Sequence, residues 1–292
     1  DLELSTLTEI INERSKTRPA VLFDRIKEYP HGYRVAANLV SSVERLALTL
    51  GMEAGLSDMD FVQSWRRQVK KISPIRAETV SSGPLFENIK KGKDVNVLQF
   101  PVPRWHELDG GRYIGTDDLV ITRDPDEGWV NVGTYRIMIH GPDRLALHMS
   151  PGKHGRVHRD KYHAQGKPLP IAVSFGHHPI NFVVASTDVP NRVNEYEYAG
   201  GILGKPLQVV HGPLTGLPIP ADAEIAIEGE VAVDDVMLEG PFGEWTGYYA
   251  SAERAEPWVE VKRLYHRNDP IILGSPPGRP PAELGWYRSY LR

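Results

Sequence analysis

Turn-forming residues are spread unevenly along this chain, and that asymmetry limits what it can fold into. Residues 1–95 hold 4 of the 24 prolines, 5 of the 27 glycines and 1 of the 11 histidines. Residues 96–292 hold the other 20 prolines, 22 glycines and 10 histidines. Pro fixes φ and Gly supplies φ > 0, so the second part reads as turn-rich. It also carries nearly all the side chains that titrate near neutral pH. With 292 residues and about 150 per domain, the prior is two domains, long enough to bury a core.

Composition narrows the function classes. Hydrophobic residues are 40% and charged residues 25%, an ordinary globular balance. Lys+Arg 34 against Asp+Glu 38 leaves −4, which argues against nucleic acid or an anionic membrane as the main partner. Cys is 0, so disulfides, thiolate metal sites and a cysteine nucleophile are excluded. No run approaches the ~18 apolar residues of a membrane span and no signal-peptide pattern is visible. The expected location is the cytoplasm. The chain starts at Asp1 without Met, and Glu283 to Leu291 reads as a helix cut partway before Arg292. The expectation is a fragment at both ends.

Residues 1–95 read as a small α/β domain. Thr6 and Glu9 have capping-box spacing for a short helix, and Ala20–Phe23 is a strand candidate. Leu39, Val43, Leu46, Ala47 and Leu50 fall on one helical stripe ending at Gly51. Ser57 caps a second helix through Phe61, Trp65 and Val69. No polar constellation sits on either helix, so this part reads as scaffold. From residue 96 to 275 the pattern is short period-2 runs: Leu119–Thr122, Val130–His140, Leu145–Met149, Ile171–Phe175, Phe182–Ser186, Leu207–His211, Glu224–Val233, Trp258–Tyr265 and Ile271–Leu273. In Glu224–Val233, Ile225, Ile227, Val231 and Val233 alternate with Glu224, Glu228 and Glu230, the mark of a half-buried antiparallel strand. Strands this many and this short suggest a closed or split β-barrel. Residues 276–292 read as the start of a linker helix. The fold class is α+β.

Four stretches could carry chemistry. In Glu239-Gly240-Pro241-Phe242-Gly243-Glu244, two carboxylates flank a tight turn. Close carboxylates repel, so one can keep a proton near neutral pH and serve as a general acid. The competing reading is a solvated loop. In Asn131-Val132-Gly133-Thr134-Tyr135-Arg136, positions five apart point to opposite faces of a straight strand. Asn131 and Arg136 share a site only if the chain bends, most easily at Gly133; otherwise Arg136 faces solvent. In Ser150-Pro151-Gly152-Lys153-His154-Gly155, His154 is either a reachable ligand or an ordinary loop histidine. In Asn194-Glu195-Tyr196-Glu197-Tyr198, an acidic residue could join Asn131 and His154 as a hard-metal ligand suited to Mn²⁺ or Mg²⁺. The alternative is a capped helix start with packed tyrosines. His177-His178 is a weak metal signal because adjacent strand residues point apart, and His158 and His163 read as surface. No dinucleotide fingerprint, Walker A motif or nucleophile elbow is present.

Together and in this order, these elements resemble the UbiD-type decarboxylases, which use prenylated FMN. The resemblance runs over nearly the whole chain. It includes Pro19-Ala20-Val21-Leu22-Phe23, Tyr29-Pro30-His31-Gly32-Tyr33-Arg34, Leu98-Gln99-Phe100-Pro101-Val102-Pro103 and Asp109-Gly110-Gly111-Arg112-Tyr113-Ile114. Its most specific pieces are the Asn131–Arg136 run, Pro151-Gly152-Lys153-His154, and Glu239–Glu244 followed by Trp245-Thr246-Gly247-Tyr248.

The resemblance implies a flavin-reductase-like split β-barrel after the small N-terminal α/β domain. It implies reversible non-oxidative decarboxylation of an aromatic, heteroaromatic or α,β-unsaturated carboxylic acid. Glu244, Arg136 and Glu239 would form the catalytic trio, with Glu244 donating the proton and Arg136, paired with Glu239, orienting the substrate carboxylate. Asn131, His154 and Glu195 would hold Mn²⁺ (or Mg²⁺) against the cofactor phosphate; Glu197 competes with Glu195 for that place. Gly133, Thr134, Tyr135 and Lys153 would line the flavin, and Ala185, Ser186 and Thr187 would hold K⁺ (or Na⁺) partly by backbone carbonyls. Family members are longer and carry a C-terminal domain, so a homo-oligomer is expected of the full-length protein, with a prenyltransferase supplying the flavin. Trp245 stands where smaller or more flexible apolar residues are common, which favours a flat aromatic acid over a long prenylated one. Loss of CO₂ from an sp² carbon needs an electron sink that no side chain here provides, so an organic cofactor must supply it. The alternative function is a split-barrel flavin-binding or reductase-like module without decarboxylase activity.

Overall fold

The computed structural model describes residues 2–190, 193–279 and 282–291. The expected cut ends, Asp1 and Arg292, lie outside these, as does the 280–281 step of the expected linker.

Three helices open the chain: α1 (Leu2–Arg14), α2 (Val43–Thr49) and α3 (Asp58–Gln68). Ser42 and Ser57 cap α2 and α3, their hydroxyls accepting from Arg45 N at 3.3 Å and Asp60 N at 3.2 Å. The Ser42 cap leaves Leu39 outside α2. The expected helix start at Thr6 is corrected to Leu2: the Ser5 and Thr8 hydroxyls donate back to Leu2 O and Leu4 O, so they sit within helical turns. Val21–Phe23 pairs antiparallel with Arg34–Ala37, which pairs parallel with Ile271–Leu273. The last strand read from the sequence thus joins this small sheet and not the large one.

Nine strands build the large sheet: β1 (Asn88–Lys91), β2 (Tyr113–Gly115), β3 (Asp118–Arg123), β4 (Val130–Gly133), β5 (Ile137–Ile139), β6 (Arg144–Leu147), β7 (Leu169–Phe175), β8 (Ile225–Glu239) and β9 (Arg254–His266). Their order is β2-β5-β6-β9-β8-β7-β3-β4, with β1 on β9, and every pairing is antiparallel. The result is a mixed α/β fold around a curled antiparallel half-barrel. Period-2 alternation sorts its side chains. Leu169, Ile171, Val173, Ile225 and Ile227 fill one core, while Ala172, Ala226, Leu119 and Ile121 fill a second on the other face.

Burial on both faces corrects the half-buried reading of β8. Glu228 is fully buried, and its carboxylate accepts from Leu214 N, Thr215 N, the Thr215 hydroxyl and the Tyr265 hydroxyl. A buried carboxylate is tolerable when its lone pairs are taken, and these bonds fasten the 212–217 turn to the sheet.

Four more helices cover the large sheet and its ends: α4 (His154–Ala164), α5 (Pro179–Ala185), α6 (Glu195–Leu203) and α7 (Glu283–Leu291). Phe182–Ser186, expected as a strand, is the end of α5. Pro179 pre-sets φ in its first turn, and His178 Nδ1 accepts from Ile180 N at 3.2 Å. Ile180, Phe182, Val183 and Val184 are all buried, and a short run apolar on every side has no readable period. Leu207–His211 yields the strand Gln208–His211, which lies between Pro218–Pro220 and Glu78–Thr79 in a third, separate sheet. No helix among the described residues is long and apolar enough to cross a membrane.

His177 and His178 turn to different partners. His177 Nδ1 lies 3.1 Å from the Ser174 hydroxyl, and burial pushes its pKa down to about 3. An unfolded chain holds a histidine near 6.5, so the unfolded state binds the extra proton first. Stability is whole above pH 6.5 and falls as pH drops toward 3, by up to about 1.4 kcal/mol per pH unit from this group. His177→Asn is expected to narrow the gap between urea midpoints measured at pH 7 and pH 5. An unchanged gap would assign the acid sensitivity elsewhere.

Candidate active site

The strand expected over Val130–His140 breaks at Thr134–Arg136, between β4 and β5. Tyr135 causes the break by packing where two side chains are missing. A Cβ on Gly133 would meet the Tyr135 ring at 2.7 Å, and one on Gly155 would meet its oxygen at 2.9 Å. Gly155 N donates to that oxygen at 3.1 Å. The bend brings Asn131 and Arg136 onto the wall of one cavity of about 670 Å³, which a straight strand would forbid.

The rest of the wall comes from element ends. Lys153 and His154 stand at the start of α4, Ala185, Ser186 and Thr187 at the end of α5, and Glu195 at the start of α6. Gly133, Thr134, Tyr135, Glu244 and the half-exposed Trp245 complete the stretches singled out from the sequence. His154 is the first residue of a helix, not a loop histidine. Asn194 caps α6 through Tyr196 N, so the helix-start reading holds; Glu195 nonetheless lines the cavity and Glu197 does not.

Glu239 lies behind the wall with no exposure, at the end of β8. Arg136 reaches it with two parallel bonds, Nε to Oε1 and Nη2 to Oε2, both 2.8 Å. Arg136 Nη1 donates to Glu244 Oε1 at 2.7 Å. The guanidinium therefore touches both carboxylates, two-pronged to the buried one and single to the one on the wall. Burial works against the Arg136 charge, but the Glu239 bonds and the two negative charges outweigh it and push its pKa up. The Tyr113 hydroxyl donates to Glu239 Oε1 at 2.8 Å.

The turn between the glutamates is fixed from outside. Asp109, itself fully buried, accepts from Gly243 N at 2.8 Å, and Gly110 N donates to Pro241 O at 2.8 Å. A Cβ on Gly110 would lie 1.8 Å from Gly240 O, so only glycine lets the two loops close. Gly110→Ala is expected to cost about 1–3 kcal/mol by overpacking and to displace Glu244. Thermal unfolding with an activity assay checks it; unchanged values for both would contradict the placement.

Unsatisfied polar atoms mark the cavity floor. Among the described residues, Asn131 Nδ2 and the Thr134 hydroxyl are buried without a hydrogen-bond partner. Glu195 accepts from Val132 N at 2.8 Å, and burial lifts its pKa to about 7. Buried orphan groups beside a carboxylate that burial disfavours suit a polar, cation-bearing ligand. An amide oxygen, an imidazole and a carboxylate also form a donor set fit for Mn²⁺ or Mg²⁺.

One expectation is corrected. His158 is buried, not on the surface: its Nδ1 lies 2.9 Å from the Thr122 hydroxyl, and burial lowers its pKa to about 4. Sequence reasoning also missed His148, Asp188 and Arg288, all on the cavity wall. His148 closes the alternating run that ends in β6, and only the β5–β6 register reveals its neighbour.

The chain matches the 3-octaprenyl-4-hydroxybenzoate carboxy-lyase Rift-related domain of UbiD over residues 78–280, and the N-terminal domain of the same carboxy-lyase over residues 1–65. The chain belongs to the UbiD family. It is 34% identical over 290 residues to the pyrrole-2-carboxylic acid decarboxylase of Pseudomonas aeruginosa, covering 97% of this chain and 58% of that protein. It is 36% identical over 268 residues to the phenolic acid decarboxylase of Bacillus subtilis, covering 88% and 55%. Among solved structures it resembles the closed form of the Sedimentibacter hydroxybenzoicus vanillic acid decarboxylase, with TM-score 0.90 at 34% identity, over 99% of this chain and 60% of that one. The evolved dimeric HmfF of Pelotomaculum thermopropionicum, in complex with prFMN, matches with TM-score 0.83 at 29% identity over 97% and 62%. The chain thus spans about 55–62% of these relatives' length.

Proposed function

We propose that this chain carries the active site of a prenylated-FMN-dependent carboxy-lyase acting reversibly, without oxidation, on aromatic, heteroaromatic or α,β-unsaturated carboxylic acids. The observation that carries the reading is Arg136, gripped from behind by buried Glu239 and bonded on the cavity side to Glu244. In this reading the curled sheet is a flavin-reductase-like split barrel, and the cavity it helps enclose takes the flavin.

Asn131, His154 and Glu195 would hold Mn²⁺ or Mg²⁺. Gly133, Thr134, Tyr135 and Lys153, all on the cavity wall, would line the flavin, and Ala185, Ser186 and Thr187 would offer oxygens to K⁺ or Na⁺. When bound, the prenylated flavin supplies the electron sink that the side chains lack. Arg136 orients the substrate carboxylate with the N–H groups left over from its glutamate bonds. Glu239 cannot turn away, because Tyr113 and both prongs of Arg136 fix it. Glu244 places a proton on the carbon that loses CO₂, and solvent at the cavity mouth restores it. Trp245 beside it offers a flat apolar face, which suits an aromatic ring.

Relatives named as decarboxylases favour this reading over a flavin-binding module without lyase chemistry. The test is CO₂ release from pyrrole-2-carboxylate and vanillate by protein loaded with prenylated FMN. Release above the no-protein control is expected. Protein that instead oxidises NAD(P)H with unmodified FMN and releases no CO₂ would support the reductase-like alternative. The metal assignment makes its own prediction: His154→Ala is expected to lose most bound Mn²⁺ by elemental analysis of dialysed protein. Stoichiometric retention would place the metal elsewhere.

A further inference from the structure

His148 has no part in the mechanism above, yet the sheet register sets it beside Arg136. Ile137 pairs with Leu147, and His148 N donates to Arg136 O at 3.1 Å, extending the same ladder by one step. Cross-strand neighbours put their side chains on one face, about 5 Å apart at Cβ. Both side chains line the cavity, and a ring nitrogen of His148 lies within 4.8 Å of a Glu239 carboxylate oxygen.

The imidazole is held in one orientation. Its Nδ1 lies 2.7 Å from Glu256 Oε1, and the Glu256 side chain is only 10% exposed. A carboxylate only accepts, so it fixes the tautomer with the proton on Nδ1. In the neutral imidazole Nε2 then carries a lone pair. Ser150 Oγ, also on the wall, lies 3.3 Å from it and donates to it weakly when nothing better is present. The cluster of His148, Glu239 and Glu256 is a poor cation site, because Arg136 already occupies both Glu239 oxygens.

We infer that His148, oriented by Glu256, determines substrate choice by accepting a hydrogen bond from a ring donor adjacent to the scissile carboxylate. The favoured class is the heteroaromatic 2-carboxylic acid with a ring N–H, or an aromatic acid with an ortho hydroxyl. The inference rests on the proposed decarboxylase reading, in which Arg136 orients the carboxylate. That places the ring position next to the carboxylate at His148, while a donor across the ring lies out of reach. A buried acceptor left without its donor is costly, so a ring oxygen in place of N–H should be rejected.

Pyrrole-2-carboxylate and furan-2-carboxylate have nearly the same shape and differ in this one group, N–H against O. Their affinities for cofactor-loaded protein, measured by calorimetry, test the inference without requiring turnover. Wild type is expected to prefer pyrrole by roughly 10- to 100-fold. His148→Phe should bring the ratio near one by weakening pyrrole and sparing furan. Glu256→Gln should erode the preference too, since an amide can donate to Nδ1 and leave the proton on Nε2. The ¹⁵N shifts of His148 report that tautomer directly and show whether the variant remains folded. A ratio unchanged in His148→Phe, or both acids weakened equally, would overturn the assignment and leave the decarboxylase reading standing. Failure of wild type to bind either acid would overturn both. A preserved preference in protein that releases no CO₂ would uphold His148 and count against the decarboxylase reading.

Discussion

Glu244→Gln is expected to lower decarboxylation by roughly 10²–10⁴-fold, the usual worth of a positioned general acid. The substitution is nearly isosteric. The amide oxygen can still accept from Arg136 Nη1, which now lies 2.7 Å from Glu244 Oε1. The surrounding turn is held by backbone bonds, Glu244 N to Tyr248 O at 3.0 Å and Gly247 N to Glu244 O at 2.8 Å, and these are untouched. Thermal stability and flavin loading should therefore match wild type while turnover collapses. The side chain is 29% exposed, so losing its charge should cost little stability. A variant that keeps more than a tenth of wild-type turnover would remove Glu244 from the role of acid.

Arg136→Met should fail in a different way. Among the described residues it removes the only cation bonded to Glu239, a carboxylate with no exposure, and leaves the Tyr113 hydroxyl as its side-chain partner. Removing one member of a buried pair typically costs about 3–5 kcal/mol, because the other charge stays desolvated. Urea unfolding should show that loss together with loss of activity. The double variant Arg136→Met/Glu239→Gln should recover much of the stability and none of the activity. Equal destabilisation of the single and double variants would mean that Glu239 is not held by Arg136 in solution. The contrast between the two experiments would separate the roles: Glu244 is expected to carry chemistry at little structural cost, and Arg136 to carry both.

Legibility in the sequence followed the length scale of the interaction. Ser57 was readable as a helix cap because capping is settled within three residues. The alternation in β8 was readable because one strand contains it. What covers the second face was not, and Glu228 passed for a solvated residue because the 212–217 turn that buries it is remote from β8. α5 was misread for lack of period. The Asn131–Arg136 pair was readable only as a condition, that the chain must bend. The structure meets it through Tyr135, a residue whose packing partner Gly155 lies 20 positions away. His148 was invisible for the same reason: its meaning comes from the register with Arg136 and from Glu256, more than a hundred residues on. The family resemblance named Glu244, Arg136 and Glu239 together, and the tertiary pairings bring them into contact and set His148 beside them.

The central claim is that Glu244 delivers the proton that replaces CO₂ at a carboxylate oriented by Arg136. Turnover in D₂O by the flavin-loaded protein tests it most directly, with the product examined by mass spectrometry and proton NMR. One deuterium is expected at the carbon that carried the carboxylate, incorporated by Glu244→Gln roughly 10²–10⁴-fold more slowly than by wild type. Wild type releasing no CO₂, or Glu244→Gln labelling the same carbon at the wild-type rate, would contradict the account.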